Sequence, residues 1–255
     1  MPSTTWGARA LPAAGASTSV ATSVTTSYDT TLRDTFTGEA TGTDVRNHVA
    51  DSGAEWSRHP AYSTVTLQTS SAGRVYAPTG AFAYVSSAVP ASSDYTVSAL
   101  LRRVGAVTTD FMGIAGRMAA TANTAYLGYY NPGSGDQTAQ WELYSIVAGT
   151  FTLLGSAAEI LSQNSDYEMR LVLSGTSVRL VVNENEKIAV DNSAITVAGF
   201  TGIRGNAVAA QTDIFGLHMD DFVVRGFVGV TTASVTTTSA WSQRAVPSTA
   251  WTARA

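Results

Sequence analysis

Hydrophobic and polar residues alternate with a period of two along much of this chain, and helical spacing is nowhere sustained. In "DYEMRLVLSGTSVRLVV", Tyr167, Met169, Leu171 and Leu173 alternate with Glu168 and Arg170, and Val178, Leu180 and Val182 resume the pattern beyond Ser174-Gly175. Successive side chains of a strand point to opposite faces, so this stretch predicts a hairpin turning at Ser174-Gly175. "NENEK" at 183–187 predicts a second turn leading into "IAVD". "DYTVSALLRRV" alternates Tyr95, Val97, Ala99 and Leu101. "QWELYSIVAGTFTLLGSA" predicts a hairpin turning near Ala148-Gly149, and "IFGLHMDDFVVRG" predicts a closing strand. No segment offers a long amphipathic helix with caps. Many short strands separated by turn residues at about 8–12-residue spacing predict an all-β fold, an antiparallel sandwich or barrel.

The patterning occupies residues 33–226. Residues 1–32 and 227–255 are extended tails rich in Ser, Thr and Ala, yet they hold Trp6, Trp241 and Trp251, three of the five tryptophans. The phrases "WGARALP", "WSQRAVP" and "WTARA" repeat Trp-x-x-Arg-Ala. Flexible spacers normally lack Trp, so the tails are expected to bind something. In polyproline II, with its three residues per turn, Trp and Arg three apart share one side. Each Trp can then fill a partner's pocket while its Arg meets a carboxylate. Two phrases ten residues apart span about 31–33 Å when extended and can engage two equivalent pockets with gained avidity. The expected assembly contacts are Trp6, Arg9, Trp241, Arg244, Trp251 and Arg254.

Composition narrows the function classes. At 44% hydrophobic and 13% charged over 255 residues, the chain is too apolar for disorder throughout and long enough for a sound core. A net charge of −4 argues against a nucleic-acid partner. The absence of Cys excludes disulfides, thiolate metal sites and thiol nucleophiles. No stretch approaches 18 apolar residues, about the minimum for a membrane span, so no membrane partner is expected. Met1-Pro2 is followed by neither a basic nor an apolar run, and no secretory leader is expected.

Catalytic chemistry finds little support. Glu184 and Glu186 share i,i+2 spacing but fall in the expected turn, where a solvated role is favoured. His48, His59 and His218 form no spaced metal pair, and there is no phosphate-binding loop or dinucleotide fingerprint. A non-enzymatic protein without a cofactor is expected. The most aromatic stretch, "TAYLGYYNPGSGDQTAQWELYS", offers a glycan platform: Tyr129, Tyr130 and Trp141 for stacking on sugar faces, with Asn131 and Asp136 for hydroxyls. Strand alternation splits Tyr129 from Tyr130, so only part of this set shares one surface. Core or sheet-face packing of the rings is the competing reading.

Two resemblances sharpen the expectation. "RDTFTGEATGTDV" at 33–45 resembles the opening of concanavalin A-like (laminin-G-like) jelly-roll domains, which begin with an Asp-x-Phe-x-Gly strand. "GLHMDDFVVRG" at 216–226 resembles their last strand, and "SVRLVVNENEKIAVDNS" the hairpin before it. The resemblance implies two packed antiparallel sheets with neighbouring terminal strands over residues 33–226. That pairing brings Asp34 toward Asp220 or Asp221, and Asp34 with Asp221 is the candidate structural Ca²⁺ site, completed by backbone oxygens. The family includes lectins, glucanases and virion proteins, but the Glu-x-Asp-x-x-Glu strand of its glucanases is absent here. The tails resemble those flanking structural proteins of tailed bacteriophages. That resemblance implies a virion structural protein on a tail or capsid surface, extracellular after lysis. Its partners would be other virion proteins and sister subunits. The alternative is a lectin-like module recognising host-surface glycan.

Overall fold

The computed structural model describes residues 27–228, apart from 63, 106–109 and 134–137. These residues form fifteen strands. The first five are β1 (Ser27–Asp34), β2 (Trp56–Arg58), β3 (Gln68–Thr69), β4 (Val75–Tyr76) and β5 (Gly80–Ser86). Then come β6 (Tyr95–Val104), β7 (Phe111–Met118), β8 (Ala125–Asn131), β9 (Gln140–Val147) and β10 (Thr150–Ala158). The last five are β11 (Asp166–Ser174), β12 (Ser177–Val182), β13 (Asn185–Asp191), β14 (Phe200–Ala207) and β15 (Gly216–Val228). The helical content among the described residues is two short 3-10 turns, 45–47 and 60–62.

All strand pairs are antiparallel, in two sheets. The eight-stranded sheet runs β13-β12-β11-β6-β15-β4-β3, with β1 also paired to β15. The seven-stranded sheet runs β10-β9-β8-β7-β14-β5-β2. The expected sandwich is therefore present. Strand pairing begins at Ser27, opposite Val228, inside stretches read from sequence as tails.

The expected hairpins form where turn chemistry placed them. Ser174 pairs with Ser177 around Gly175, which has φ +56°. Ala148 and Gly149 both have positive φ, as do Asn183 and Glu184. Two left-handed residues match a tight turn to the twist of the flanking strands. The "NENEK" turn contracts to Asn183-Glu184, and Glu186 and Lys187 lie in β13.

Alternation fills the space between the sheets from both sides. The eight-stranded sheet contributes Val97, Leu101, Leu171, Leu180 and Val224, and the seven-stranded sheet contributes Tyr84, Ile114, Tyr130, Trp141 and Ile203. Buried rings with polar tips need partners. The Tyr84 hydroxyl donates to Asp44 at 2.9 Å, that of Tyr126 donates to Asn192 Oδ1 at 2.7 Å, and Trp141 Nε1 donates to Glu159. Tyr95 is buried, which raises its hydroxyl pKa to about 12. Arg117 is a buried cation with φ +48° at an end of β7. It donates to the carbonyls of Ser93 (3.0 Å), Ile195 (2.7 Å) and Gly175 (2.9 Å), tying three loops together.

Candidate functional site

The outward face of the eight-stranded sheet carries charge. A depression of about 450 Å³ sits on it, lined by Thr30 and Arg33 of β1, Ser98 of β6, Glu168 of β11, and Asp221 and Arg225 of β15. Register explains the grouping. Arg225 lies opposite Thr30 and Val223 opposite Arg33, while Ser98 faces Arg170 on one side and Val223 on the other. A second depression of about 290 Å³ adjoins it where Ser98 pairs with Arg170 and extends toward β12 and β13, lined by Thr96, Arg170, Val172, Arg179, Glu184 and Glu186, among others.

A bulge shapes the first depression. The β15 register with β6 shifts between Asp220 and Val223, and Asp221 has φ +46°. Such an insertion re-aims side chains. Phe222 stays in the core, while Asp220 lies opposite Leu100, itself on the depression wall, and Asp221 lines it directly. Burial raises the Asp220 carboxyl pKa to about 6, against the lowering effect of the Asp221 N–H, which donates to it at 2.8 Å.

Charge pairing differs between the depression and its surroundings. Arg102 grips Asp166 through two 2.7 Å hydrogen bonds, which hold the Asp166 carboxyl below its ordinary pKa. Arg170 meets Glu184 at 2.6 Å. Within the depression, the side chains of Arg33, Arg225, Glu168 and Asp221 form no ion pair among the described residues. Two guanidinium forks and two carboxylates thus stand open around one hollow. A fork donates two parallel N–H groups, which suits adjacent hydroxyls or a carboxylate, and free carboxylates accept hydrogen bonds from hydroxyls.

The outward face of the seven-stranded sheet is aromatic. Phe111 (β7), Tyr129 (β8) and Tyr144 (β9) pack side by side, with ring centroids 4.6 Å and 5.5 Å apart, and Phe151 (β10) meets Tyr144 edge-on at 6.0 Å. Directly across from Tyr129 on the neighbouring strand, Glu142 is a buried acceptor. It takes hydrogen bonds from the Tyr129 hydroxyl, from Gln140 Nε2 at 2.6 Å and from Asn131 Nδ2 at 3.1 Å. Burial first, and the Glu142 carboxylate second, raise the Tyr129 hydroxyl pKa. Arg204 lies buried across the rings of Tyr62 (4.4 Å) and Phe151 (4.9 Å) and donates to Asn123 Oδ1 at 2.8 Å.

The residues expected to bind glycan are dispersed. Tyr129 and Asn131 do share this outward face, but Tyr129 is only 7% exposed and its hydroxyl is engaged by Glu142. Tyr130 and Trp141 are a correction: both are fully buried between the sheets, where their strand parity directs them. Asp136 lies outside the described residues. The expected metal pair is likewise corrected. Asp34 is buried and accepts hydrogen bonds from the Phe36 N–H (2.7 Å), His48 Nε2 (2.8 Å) and Trp56 Nε1 (2.6 Å). Its Cα partner is Phe222, and the bulge carries Asp221 to the outward depression. No cluster of three His, Asp or Glu side chains suited to a metal occurs among the described residues. The Asp34 bond also raises the His48 pKa. Trp6, Arg9, Trp241, Arg244, Trp251 and Arg254 lie outside the described residues.

Sequence reading did not find Arg33, Arg225 or Glu168. They are single charges on separate strands, and only pairing across β1, β15, β6 and β11 assembles them.

No family model and no curated protein matches the chain. Among solved structures, it is similar to a Bacillus subtilis protein of unknown function with a galectin-like fold. The TM-score is 0.53 at 11% identity, over 80% of this chain and 99% of that one. The fold is galectin-like. The chain also aligns with the carbohydrate-binding module CBM66 from Bacillus subtilis, at TM-score 0.49 and 14% identity, over 68% of this chain and 92% of that one. The Ca²⁺-bound VIP36 exoplasmic/lumenal domain aligns at TM-score 0.47 and 9% identity, over 74% and 90% of the two chains.

Proposed function

We propose that this protein is a glycan-binding module whose site is the depression on the outward face of the eight-stranded sheet. The observation that carries the reading is the set of Arg33, Arg225, Glu168 and Asp221, without ion pairs among the described residues, around one hollow of about 450 Å³. Ligand sites are concave and hold a few convergent polar groups. Sugar hydroxyls both donate and accept, so they match a wall that offers forks and carboxylates together. The adjoining second depression gives room for a further sugar unit. The seven-stranded sheet supports the reading less well, because its rings pack on one another and its best acceptor is buried.

Glycan-array screening followed by calorimetry tests this. Arg225→Ala and Glu168→Ala should each weaken binding at least tenfold, the effect of about 1.4 kcal/mol, while Phe111→Leu on the aromatic face should leave it intact. Loss in Phe111→Leu with retention in Arg225→Ala would move the site to the other sheet. No binding by the unaltered protein would end the glycan reading.

The three Trp-x-x-Arg phrases favour a second role, attachment of this module to a particle such as a virion. The first and last strands of the sandwich end side by side, Ser27 against Val228. Deleting residues 236–255 should abolish incorporation into the particle while leaving glycan binding unchanged. Retained incorporation would remove the attachment role.

A further inference from the structure

A sheet edge exposes backbone N–H and C=O groups that can pair with another strand, and natural sheets protect such edges with charge or brevity. Five strands here have an open side among the described residues. β2 has three residues and β3 has two. β1 carries Asp29 and Arg33, and β13 carries Glu186, Lys187 and Asp191. β10 is the exception. Its nine residues, TFTLLGSAA, contain no charge and no proline. Phe151 is 43% exposed and Leu153 is 50% exposed.

The pairing of β10 with β9 defines what its open side offers. Thr150 lies opposite Val147 across the two-residue turn Ala148-Gly149, Thr152 opposite Ser145, and Phe151 and Leu153 opposite Ile146 and Tyr144. A two-residue turn closes on a hydrogen-bonded pair, and such pairs alternate along an antiparallel ladder. The N–H and C=O of Phe151 and Leu153 therefore point to the open side. The far end of β10 is obstructed. A register shift follows Leu153, and Glu159 just beyond the strand binds Lys187 of β13 at 3.1 Å. Pairing is confined to the half from Thr150 to Leu154.

We infer that β10 is a self-association edge, and that its partner is the same strand of a second copy, antiparallel about a two-fold axis through Thr152. In that register Phe151 of one copy meets Leu153 of the other, and the reverse. Both are the residues whose backbone groups are open, so each pair exchanges two hydrogen bonds. Their side chains lie on one face and join the aromatic rows of the two sheets. The register is self-complementary because β10 carries no charge. Charged β1 and β13 would set charges against one another in several registers. A two-fold pairing of identical edges also closes, leaving no new edge for growth.

Thr152 faces its own copy across the axis and is exposed, so it allows a charge-swap test on the full chain. In sedimentation velocity the unaltered protein should be a dimer. Thr152→Lys and Thr152→Glu should each be monomeric, with unchanged far-ultraviolet circular dichroism, because like charges then oppose at close range. An equimolar mixture of the two should restore the dimer. A monomeric unaltered protein at about 100 μM, roughly −5.5 kcal/mol on the affinity scale, would overturn the inference. A dimer that persists in either single variant, or a mixture that stays monomeric, would overturn it as well.

Discussion

The two outward faces of the sandwich are built from the same kind of alternating strand but are finished differently. On the eight-stranded sheet, outward positions carry charges that are half-buried at most and partly unpaired, with a hollow between them. On the seven-stranded sheet, outward positions form a second apolar cluster, including Ala115, Leu127, Tyr129 and Ile146, with Glu142 opposite Tyr129 and Arg204 across the rings. The difference lies in what the polar groups do. On the aromatic face they are bound by the protein and hold it together. On the charged face several form no ion pair among the described residues. A residue's chemistry alone does not separate these roles: Glu142 and Glu168 are both strand glutamates on outward positions.

Substitutions can break this contrast, beginning with the largest effect on stability. Glu142→Ala should cost about 3 kcal/mol, because Tyr129, Asn131 and Gln140 lose a shared buried acceptor. Chemical denaturation measures it, and a cost below about 0.5 kcal/mol, the range of ordinary surface changes, would place Glu142 with the exposed charges. Arg204→Ala should cost about 2 kcal/mol through lost stacking on Tyr62 and Phe151 and a lost bond to Asn123.

Asp220 gives a smaller effect of opposite sign. Its folded pKa, about 6, is raised above the ordinary aspartate value by burial. The folded state therefore binds its proton more tightly than the unfolded state. Stability from this group is complete below about pH 4 and is lost as pH rises through 6. Asp220→Asn should stabilise the protein by about 1–2 kcal/mol at pH 7 and by nothing near pH 4. Equal stabilisation at both pH values would mean that ionisation of Asp220 plays no part.

The smallest change in stability belongs to the charged hollow. Glu168→Ala and Arg225→Ala should shift stability by less than about 0.5 kcal/mol while removing glycan binding. A thermal-melt series run beside the binding assay checks both halves of that statement. A large loss of stability in either variant would erase the distinction between the two faces.

Much of the fold was legible along the chain. The hairpins at Ser174-Gly175 and Ala148-Gly149 followed from alternation around a glycine, and Gly175 and Gly149 both take positive φ. Alternation also separated Tyr129 from Tyr130 correctly. What it did not show was which of the two faces turned inward. Tyr130 and Trp141 proved to be core, and the Tyr129 hydroxyl proved to be engaged by its cross-strand neighbour Glu142. The pairing of Asp34 with Asp221 failed because a bulge is one residue of irregularity, and "MDDFVV" reads as regular strand until Asp221 takes φ +46°.

By itself, then, the sequence determined the succession of strands, their tight turns and the alternation that lines the core. These depend on interactions between near neighbours: pleat, turn conformation and the transfer of apolar side chains out of water. Only the tertiary structure decided that β1, β15, β6 and β11 lie side by side, bringing together Arg33, Arg225, Glu168 and Asp221 from distant parts of the chain. It alone decided that β10, and no charged strand of similar length, holds the bare edge of the seven-stranded sheet. Strand order is set by which long-range pairings bury the most surface at once, and no local pattern encodes that choice.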